Sequence, residues 1–266
     1  MSSFNLWLAT YVIGPILGIL VCYLEAIRII KFQHFSRYPI WEEKVIIVSN
    51  HPSLLEPVIL PLMGFPWMNF PWVFSPLWGR IKPSLSWARQ FRKEFFLTKK
   101  LIPVSVPDKR NYYDKAYYGL IRGLNIPVKR DGTAADRVST VLALKEVLGQ
   151  GGRIILFPEG GRTYKAKRKM RSQKGNELGV LKEGAALLAL QTGAKIVPIW
   201  VKGTDKFLPN GKFLLPYFWH RITINVGNPF ILDRSTFLNL RSSREIRKAA
   251  TSRIAVALLE TADETG

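Results

Sequence analysis

Asn50, His51 and Glu56 share one short segment, N-H-P-S-L-L-E-P, directly after an apolar run. An imidazole within reach of a carboxylate can act as a general base towards a hydroxyl, because the carboxylate fixes the tautomer of the ring and raises its basicity. On one continuous helix His51 and Glu56 would point about 140° apart. They can meet only if His51 lies in the turn before a helix, which Pro52 and Pro57 favour. A lone histidine is more often structural, so both interpretations stay open from these residues alone.

Two further polar segments could hold an anion. Lys129-Arg130-Asp131 ends one apolar run, and F-P-E-G-G-R-T, residues 157–163, ends another. In the second segment Gly160 and Gly161 let backbone N–H groups approach an anion, and Arg162 offers a planar fork for phosphate. Each segment alone is a weak signal, since a Gly-Gly-Arg turn is usually only a turn. Their shared position at the ends of apolar runs is what makes a phosphate site a useful hypothesis.

The elements that must position these segments alternate between β-branched runs and helical periodicity. We predict strands over 44–49, 124–129, 153–157, 195–201 and 221–226, and helices over 134–148, 177–191 and 235–260. Residues 124–157 then form a strand–helix–strand crossover, which is typical of a parallel sheet. The predicted class is α/β. In open α/β sheets ligands bind beyond the carboxyl ends of the strands, where all three polar segments fall.

The composition narrows the possible partners. The 266 residues are 47% apolar and 22% charged, near globular averages, which argues against a disordered or collagen-like chain. One cysteine excludes an intramolecular disulfide and a cysteine-rich zinc site, and three scattered histidines predict no metal. With 39 basic and 19 acidic residues the net charge is +20, which implies nucleic acid, an anionic membrane or a phosphorylated small molecule. A mean hydropathy of +0.05 with 12% aromatic residues favours lipid.

The N-terminal region contains nineteen consecutive uncharged residues, 6–24. A helix of that length covers about 28 Å, close to the hydrocarbon thickness of a bilayer, which is about 30 Å. Gly14-Pro15 interrupts it, so a kinked hairpin in one leaflet is as plausible as a straight span. A buried core helix is the alternative. The basic residues that follow place the rest of the chain in the cytoplasm by the positive-inside rule; they are Arg28, Lys31 and Arg37.

The polar segments resemble the ordered motif blocks of the PlsC-like glycerolipid acyltransferases, the lysophospholipid acyltransferase superfamily. The first block of that family is Asn-His, four residues, then Asp. Here Asn50 and His51 match, and Glu56 replaces the Asp. The second block ends an apolar strand in Arg, as I-P-V-K-R does at Arg130.

Two more blocks follow in the same order. F-P-E-G-G-R-T resembles the third block, with Gly161 in place of the usual hydroxyl residue. Lys182 and Gly184 resemble the Lys-x-Gly of the family, and I-V-P-I at 196–199 resembles its fourth block. The resemblance covers about residues 44–202.

This resemblance implies a mixed αβα acyltransferase fold behind an N-terminal membrane-associated helical motif. It implies transfer of an acyl group from acyl-CoA or acyl carrier protein to a hydroxyl of a glycerolipid such as 1-acyl-glycerol-3-phosphate, with no cofactor. It further implies His51 as base, Glu56 as its partner, and a set of substrate-binding residues: Asn50, Arg130, Glu159, Gly160, Gly161, Arg162 and Lys182. Glu159, beside two arginines, would orient them rather than contact phosphate. Glu56 and Gly161, which depart from the motif, leave another lipid acceptor open: a lysophospholipid with a larger headgroup, a glycolipid or an amino-acid lipid.

Two segments outside the motif blocks bear on the partner. Residues 65–87 hold four tryptophans among prolines, which suits a headgroup layer or an irregular aromatic core equally. The basic tract 162–174 is either a solvated loop or a contact for anionic headgroups or the phosphates of CoA. A non-catalytic nucleic-acid binder would explain this charge but not the placement of the polar segments after strands, so no nucleic acid is expected. We expect a membrane anchor over 1–38 and a catalytic domain over 39–266 that faces the cytoplasm; the oligomeric state stays open.

Overall fold

The computed structural model describes residues 14–39, 42–53, 55–63, 103–109, 114, 125–129, 131–209, 216–237, 240 and 242–265. The strands within these residues are β1 (Ile30–Gln33), β2 (Val45–Ser49), β3 (Val104–Ser105), β4 (Arg153–Leu156), β5 (Lys169–Arg171), β6 (Glu177–Gly179), β7 (Lys195–Lys202), β8 (Ile222–Val226) and β9 (Phe230–Ile231). The α-helices are α1 (Gly14–Ala26), α2 (Glu56–Leu62), α3 (Ala134–Gly149), α4 (Gly184–Thr192), α5 (Thr204–Phe207) and α6 (Ser243–Asp263).

Seven of the described strands form one sheet in the order β1-β8-β7-β2-β4-β3, and β9 pairs with β7. The inner strand β2 runs parallel to both β4 and β7, so the carboxyl ends of these three strands meet at one edge. β8 is antiparallel to β7 and parallel to β1. A separate antiparallel hairpin is formed by β5 and β6.

Helices cover both faces of the sheet because β2 is buried on both sides. All five residues of β2 are buried, and they alternate between two cores. Val45 and Ile47 pack in the core beneath α1 and α2, whereas Ile46 and Val48 pack in the core beneath α3, α4 and α6. The fold is therefore a mixed αβα sandwich, and the predicted α/β class is confirmed.

Most predicted elements are found within a residue or two of their expected bounds. The predicted strands over 44–49, 153–157, 195–201 and 221–226 correspond to β2, β4, β7 and β8. Thr133 caps α3 through a reciprocal pair of hydrogen bonds with Asp136, and Ser242 caps α6 in the same way with Glu245. Before α6, the described part of the predicted helix over 235–260 contains a 3-10 turn, Arg234–Phe237.

Two predicted elements were wrong. Residues 177–191 were predicted as one helix, but Glu177–Gly179 is strand β6, because Glu177 pairs across the hairpin with Lys169 and Arg171. The helix begins only at Gly184. Residues 124–129 were predicted as a regular strand, but the described residues there make only two isolated parallel bridges, Asn125 with Ser105 and Val128 with Asp108.

The sheet extends back across the predicted domain boundary at residue 39, since β1 is its edge strand. α1 leads into β1 and packs on the same core through Leu17, Val21 and Leu24. Among the helices of the described residues, none is both long and apolar enough to cross a membrane. The prediction for 65–87, the position of Arg130 and the first thirteen residues of the anchor lie outside the described residues.

Gly203, between β7 and α5, should tolerate no side chain. Its φ of +88° is left-handed, and a Cβ there would overlap the backbone carbonyl of Arg221, which cannot rotate away. We expect Gly203→Ala to lower the free energy of unfolding by at least about 3 kcal/mol, measured by urea denaturation.

Gly175→Ala is the matched control, because Gly175 has a φ of +80° and open space around its Cα. In this variant the free energy of unfolding should fall by only about 1 kcal/mol, the cost of placing a Cβ on a left-handed residue. Equal losses in the two variants would show that the contact with Arg221 is unimportant.

Candidate active site

The structure brings His51 and Glu56 together at the carboxyl end of β2. Glu56 is the first residue of α2, and His51 lies in the extended turn before that helix. The Nδ1 atom of His51 lies 2.9 Å from a carboxylate oxygen of Glu56. A proton on Nδ1 satisfies that carboxylate, so Nε2 keeps the lone pair that can accept a proton. The ring also stacks on Phe157, with 4.5 Å between ring centroids, which restricts its rotation.

The Glu56 carboxylate is fully buried and accepts four hydrogen bonds. One oxygen accepts from His51 Nδ1 at 2.9 Å and from the Ser53 backbone N–H at 3.0 Å. The other accepts from the Ser53 hydroxyl at 2.9 Å and from the Thr204 hydroxyl. Because burial of an unpaired carboxylate is strongly unfavourable, these donors allow the charge to exist there. They also fix the carboxylate against the imidazole.

Asn50 joins β2 to β7 beyond the last residue of β2. Its amide nitrogen donates to the carbonyl of Val201 at 2.8 Å, and its amide oxygen accepts from the N–H of Val201 at 2.8 Å. The side chain is buried, and both ends of its amide are engaged by this one residue. Asn50 therefore continues the strand pairing past the sheet and sets the position of His51. Its contact with substrate stays a prediction.

Glu159 ties the Phe157–Thr163 segment to the backbone of His51. Its Oε1 accepts from the His51 N–H at 3.1 Å and from the Thr163 hydroxyl at 2.7 Å, and its Oε2 accepts from the Gly179 N–H at 2.8 Å. Thr163 also donates its N–H to the His51 carbonyl at 2.9 Å. Burial raises the pKa of Glu159, and these hydrogen bonds oppose the rise. Glu159 thus organises the loop, with its carboxylate turned into protein rather than towards an anion.

Lys182 lies against Gly160 in the same loop. Gly160 has a φ of +66°, and a Cβ there would lie 2.5 Å from the ammonium nitrogen of Lys182. The backbone N–H of Lys182 donates to the Pro158 carbonyl at 2.8 Å, so two segments that are distant in sequence meet here. Within the described part of the chain Lys182 has no carboxylate partner, so its charge is available to an anion. Arg162 borders the same turn, with its guanidinium 5.5 Å from the Tyr164 ring centre.

Most of the predicted site residues are gathered by the structure. His51, Glu56, Asn50 and Glu159 form one bonded network, and Gly160, Gly161, Arg162 and Lys182 adjoin it through the loop. Arg130 lies outside the described residues. In the parts of the chain that are described, no group of three or more His, Cys, Asp or Glu side chains could hold a metal ion.

Comparison with known proteins places this arrangement in a family. The family model described as "Acyltransferase" matches residues 26–202, about two thirds of the chain. The chain therefore belongs to the acyltransferase family. The matched range includes every residue of the network around His51 except Thr204, which follows two residues later.

Individual relatives agree with that assignment. The chloroplastic 1-acyl-sn-glycerol-3-phosphate acyltransferases LPAT1 of Arabidopsis thaliana and BAT2 of Brassica napus are 37% and 36% identical to it over 89 residues. Each alignment covers 32% of this chain but only 21% and 22% of the relative, so the match spans about a fifth of those proteins. The crystal structure of the 1-acyl-sn-glycerophosphate acyltransferase PlsC from Thermotoga maritima superposes with a TM-score of 0.53 at 16% identity. The superposition covers 95% of this chain and 78% of the Thermotoga maritima chain, and it shows that the two proteins share a fold.

Sequence reasoning missed Ser53 and Thr204. Ser53 lies three residues before Glu56, the spacing at which a hydroxyl and a carboxylate cap a helix together, and this signal was present. Thr204 is 148 residues from Glu56 in the chain and follows β7. No pattern in the sequence indicates that pairing, because it depends on the neighbouring positions of β2 and β7 in the sheet.

Thr204 should act as a positioning residue for the catalytic pair. Thr204→Val keeps the shape of the side chain and removes the hydroxyl that donates to Glu56, so one buried carboxylate oxygen loses a partner. We expect kcat to fall about tenfold with both KM values unchanged, measured by steady-state kinetics.

Thr204→Ser retains the hydroxyl and should restore most of the rate. A loss of activity in Thr204→Ser equal to that in Thr204→Val would mean that packing of the methyl group, not the hydrogen bond, is what matters.

Gly160 should be required for the position of Lys182. In Gly160→Ala the new methyl group displaces the Lys182 ammonium and strains a left-handed residue. We expect the KM for a phosphorylated acceptor to rise about tenfold while the KM for the donor changes little. Gly193→Ala is the control, because Gly193 has a φ of +65° and nothing lies within 4 Å of a Cβ there; an equal rise in that variant would contradict the role given to Lys182.

Proposed function

We propose that this protein transfers a fatty acyl group from a thioester donor, acyl-CoA or acyl carrier protein, to a hydroxyl of a glycerolipid. The observation that supports the proposal most is the contact between His51 Nδ1 and the buried Glu56 carboxylate, 2.9 Å apart. It leaves Nε2 as the basic atom, and the His51 side chain is only partly buried at the carboxyl end of β2.

The reaction proceeds by direct attack on the thioester. His51 Nε2 takes the proton from the acceptor hydroxyl as the oxygen attacks the acyl carbonyl carbon. The resulting cationic imidazole is stabilised by Glu56, whose carboxylate is already aligned by Ser53 and Thr204. When the tetrahedral intermediate collapses, the carbon–sulfur bond breaks and the thiolate leaves. A thiol has a pKa of about 8.5, so it needs little acid assistance, and the proton on His51 is sufficient.

A phosphate on the acceptor would be held by the loop beside His51. Lys182 and Arg162 supply positive charge, and the turn at Gly160 and Gly161 has no side chain to block approach of the anion. Arg130 is expected to add a third cation. Glu159 contributes indirectly, because it holds this loop against the His51 backbone.

The acceptor that these features support best is 1-acyl-glycerol-3-phosphate. The relatives from Arabidopsis thaliana and Brassica napus are named for that acceptor, although they share only 89 aligned residues with this chain. The positive charge of Lys182 and Arg162, to which Arg130 is expected to add, suits a phosphate monoester, which carries up to two charges. A lysophospholipid with a larger headgroup, a glycolipid or an amino-acid lipid is the second candidate, favoured by Gly161, whose open surroundings leave room beside the phosphate.

Membrane association is part of the proposal, since both substrates carry long acyl chains. Support comes from α1, which has Ile16, Ile19, Leu20 and Tyr23 exposed on one side. The apolar run 6–24 as an anchor and a cytoplasmic catalytic domain stay predictions.

The decisive experiment is a panel of donors and acceptors with purified protein, read by mass spectrometry of the lipid products. We expect diacylglycerol phosphate from 1-acyl-glycerol-3-phosphate and at least one thioester donor. His51→Ala should abolish product, because it removes the base that contacts Glu56, and Glu56→Gln should lower kcat at least about 100-fold.

Circular dichroism should show that both variants remain folded. Glu56→Asp is the sharper control: the shorter carboxylate cannot reach Ser53, Thr204 and His51 together, so the residue usual in this family should be impaired here. Normal turnover by folded His51→Ala would overturn the mechanism, and product only from other acceptors would favour the second candidate.

A further inference from the structure

An exposed aromatic turn precedes β8. In this turn, residues 217–220, the side chains of Phe218 and Trp219 are 56% and 72% exposed. The turn is held in place on its inner side: Trp219 stacks on Tyr217 with ring centres 4.8 Å apart, and Phe218 meets Phe207 of α5 edge-on at 5.6 Å. The backbone N–H of Tyr217 donates to the Phe207 carbonyl at 2.7 Å. Two large aromatic side chains are thus presented to solvent on a fixed support.

The aromatic turn lies at the same edge of the sheet as His51. β8 is antiparallel to β7, so the beginning of β8 lies beside the end of β7, at Lys202 and Thr223. The end of β7 is also the edge at which β2 delivers Asn50 and His51. The helix that the turn contacts through Phe207, α5, begins with Thr204, whose hydroxyl donates to the catalytic carboxylate of Glu56. One short helix therefore touches both the turn and the catalytic pair.

The exposed apolar side of α1 ends close to the aromatic turn. Ile29, just after α1, accepts through its carbonyl from the N–H of Ile222 at 2.8 Å, three residues beyond Trp219. Five exposed apolar residues lie within an arc of about 100° around the axis of α1 and its continuation; they are Ile16, Ile19, Leu20, Tyr23 and Ile27. The opposite side of α1 packs on the core. The exposed stripe is therefore surplus to the fold.

Positively charged residues surround the aromatic turn and the end of α1. Five exposed basic residues lie at the end of α1, on β1, at the end of β7, on α5 and before β8; they are Arg28, Lys31, Lys202, Lys206 and Arg221. None of the five forms an ion pair with another described residue. The carboxylates nearby are the exposed Asp205 and the half-buried Glu25, whose pKa is raised by burial. A surface with this excess of cations around apolar groups is complementary to anionic headgroups above a hydrocarbon layer.

We propose that the aromatic turn, residues 217–220, is a second membrane contact, which inserts Phe218 and Trp219 into the headgroup layer of an anionic leaflet beside α1. The proposal rests on the proposed function, in which the acceptor is a membrane lipid. Indole and phenyl rings favour that layer, because they remove apolar area from water while the surrounding cations meet lipid phosphates. A helix that lies in the interface can still roll about its own axis. A second contact, made by the aromatic turn that packs on α5, stops that rotation. The edge of the sheet that holds His51 is then directed towards the bilayer.

The test measures the environment of the side chain at position 219 directly. Cys22, the only cysteine of the chain, is replaced by serine, and Trp219→Cys is labelled with an environment-sensitive fluorophore. The matched control is Gln150→Cys, exposed at the opposite edge of the sheet between α3 and β4. Vesicles contain phosphatidylcholine alone or with about one third phosphatidylglycerol, and bound protein is quantified by co-sedimentation. Circular dichroism confirms that each labelled protein is folded.

With anionic vesicles, the emission at position 219 should shift to shorter wavelength and increase several-fold, and emission at position 150 should not change. In a second measurement, Trp219→Ala should lower partitioning onto anionic vesicles about tenfold. Leu142→Ala, which removes another exposed apolar residue, on α3, should leave the partitioning unchanged.

Several results would overturn the proposal. In the first, the protein sediments with anionic vesicles but the label at position 219 still reports water. In the second, the labels at positions 219 and 150 respond equally. In the third, the protein does not bind anionic vesicles. A response at 219 to acyl donor without vesicles would also overturn it, since the turn would then contact the acyl chain of a substrate. None of these readouts requires turnover, so a protein that shows the position 219 response but transfers no acyl group would refute the proposed function and leave the membrane contact standing.

Discussion

The site depends on one buried carboxylate and the hydrogen-bond donors that satisfy both of its oxygens. Glu56 is completely shielded from water, a position that a carboxylate can occupy only if its oxygens are fully hydrogen-bonded. Its four donors come from His51, from Ser53 at the start of α2, and from Thr204 after β7. Each of these segments is located by the sheet, so the strand order β7-β2-β4 is what brings the donors within reach of one another.

A second set of hydrogen bonds fixes the backbone on either side of His51, and so positions the pair of His51 and Glu56. Asn50 pairs with Val201 as an additional rung between β2 and β7, and Glu159 accepts from the N–H of His51. The base is therefore held from the strand before it and from the loop beside it. Glu159 also bonds Gly179, so the hairpin of β5 and β6, which begins within the basic tract 162–174, is coupled to the same loop.

The parts of this arrangement that the sequence predicts are those with a local signature. The buried runs of β2, β4 and β7 and the turn that lets His51 reach Glu56 depend on neighbours within a few residues. Glu177 was misassigned to a helix because its partners, Lys169 and Arg171, lie across a hairpin. Thr204 was missed for a similar reason, since only the finished sheet places it beside Glu56. Long-range pairings of this kind leave no periodic trace in a single sequence.

The position of β1 also bears on how the chain folds. Within the described residues β1 pairs only with β8, and that pairing joins Ile30 to Ile222. Closing a loop of that length is slow, and on a ribosome it cannot happen until most of the polypeptide has emerged. Until then β1 lacks the strand with which it pairs, so this side of the sheet stays open while β2, β4 and β7 can already assemble. The strand that comes first among the described strands would thus join the sheet only after β8 has been synthesised.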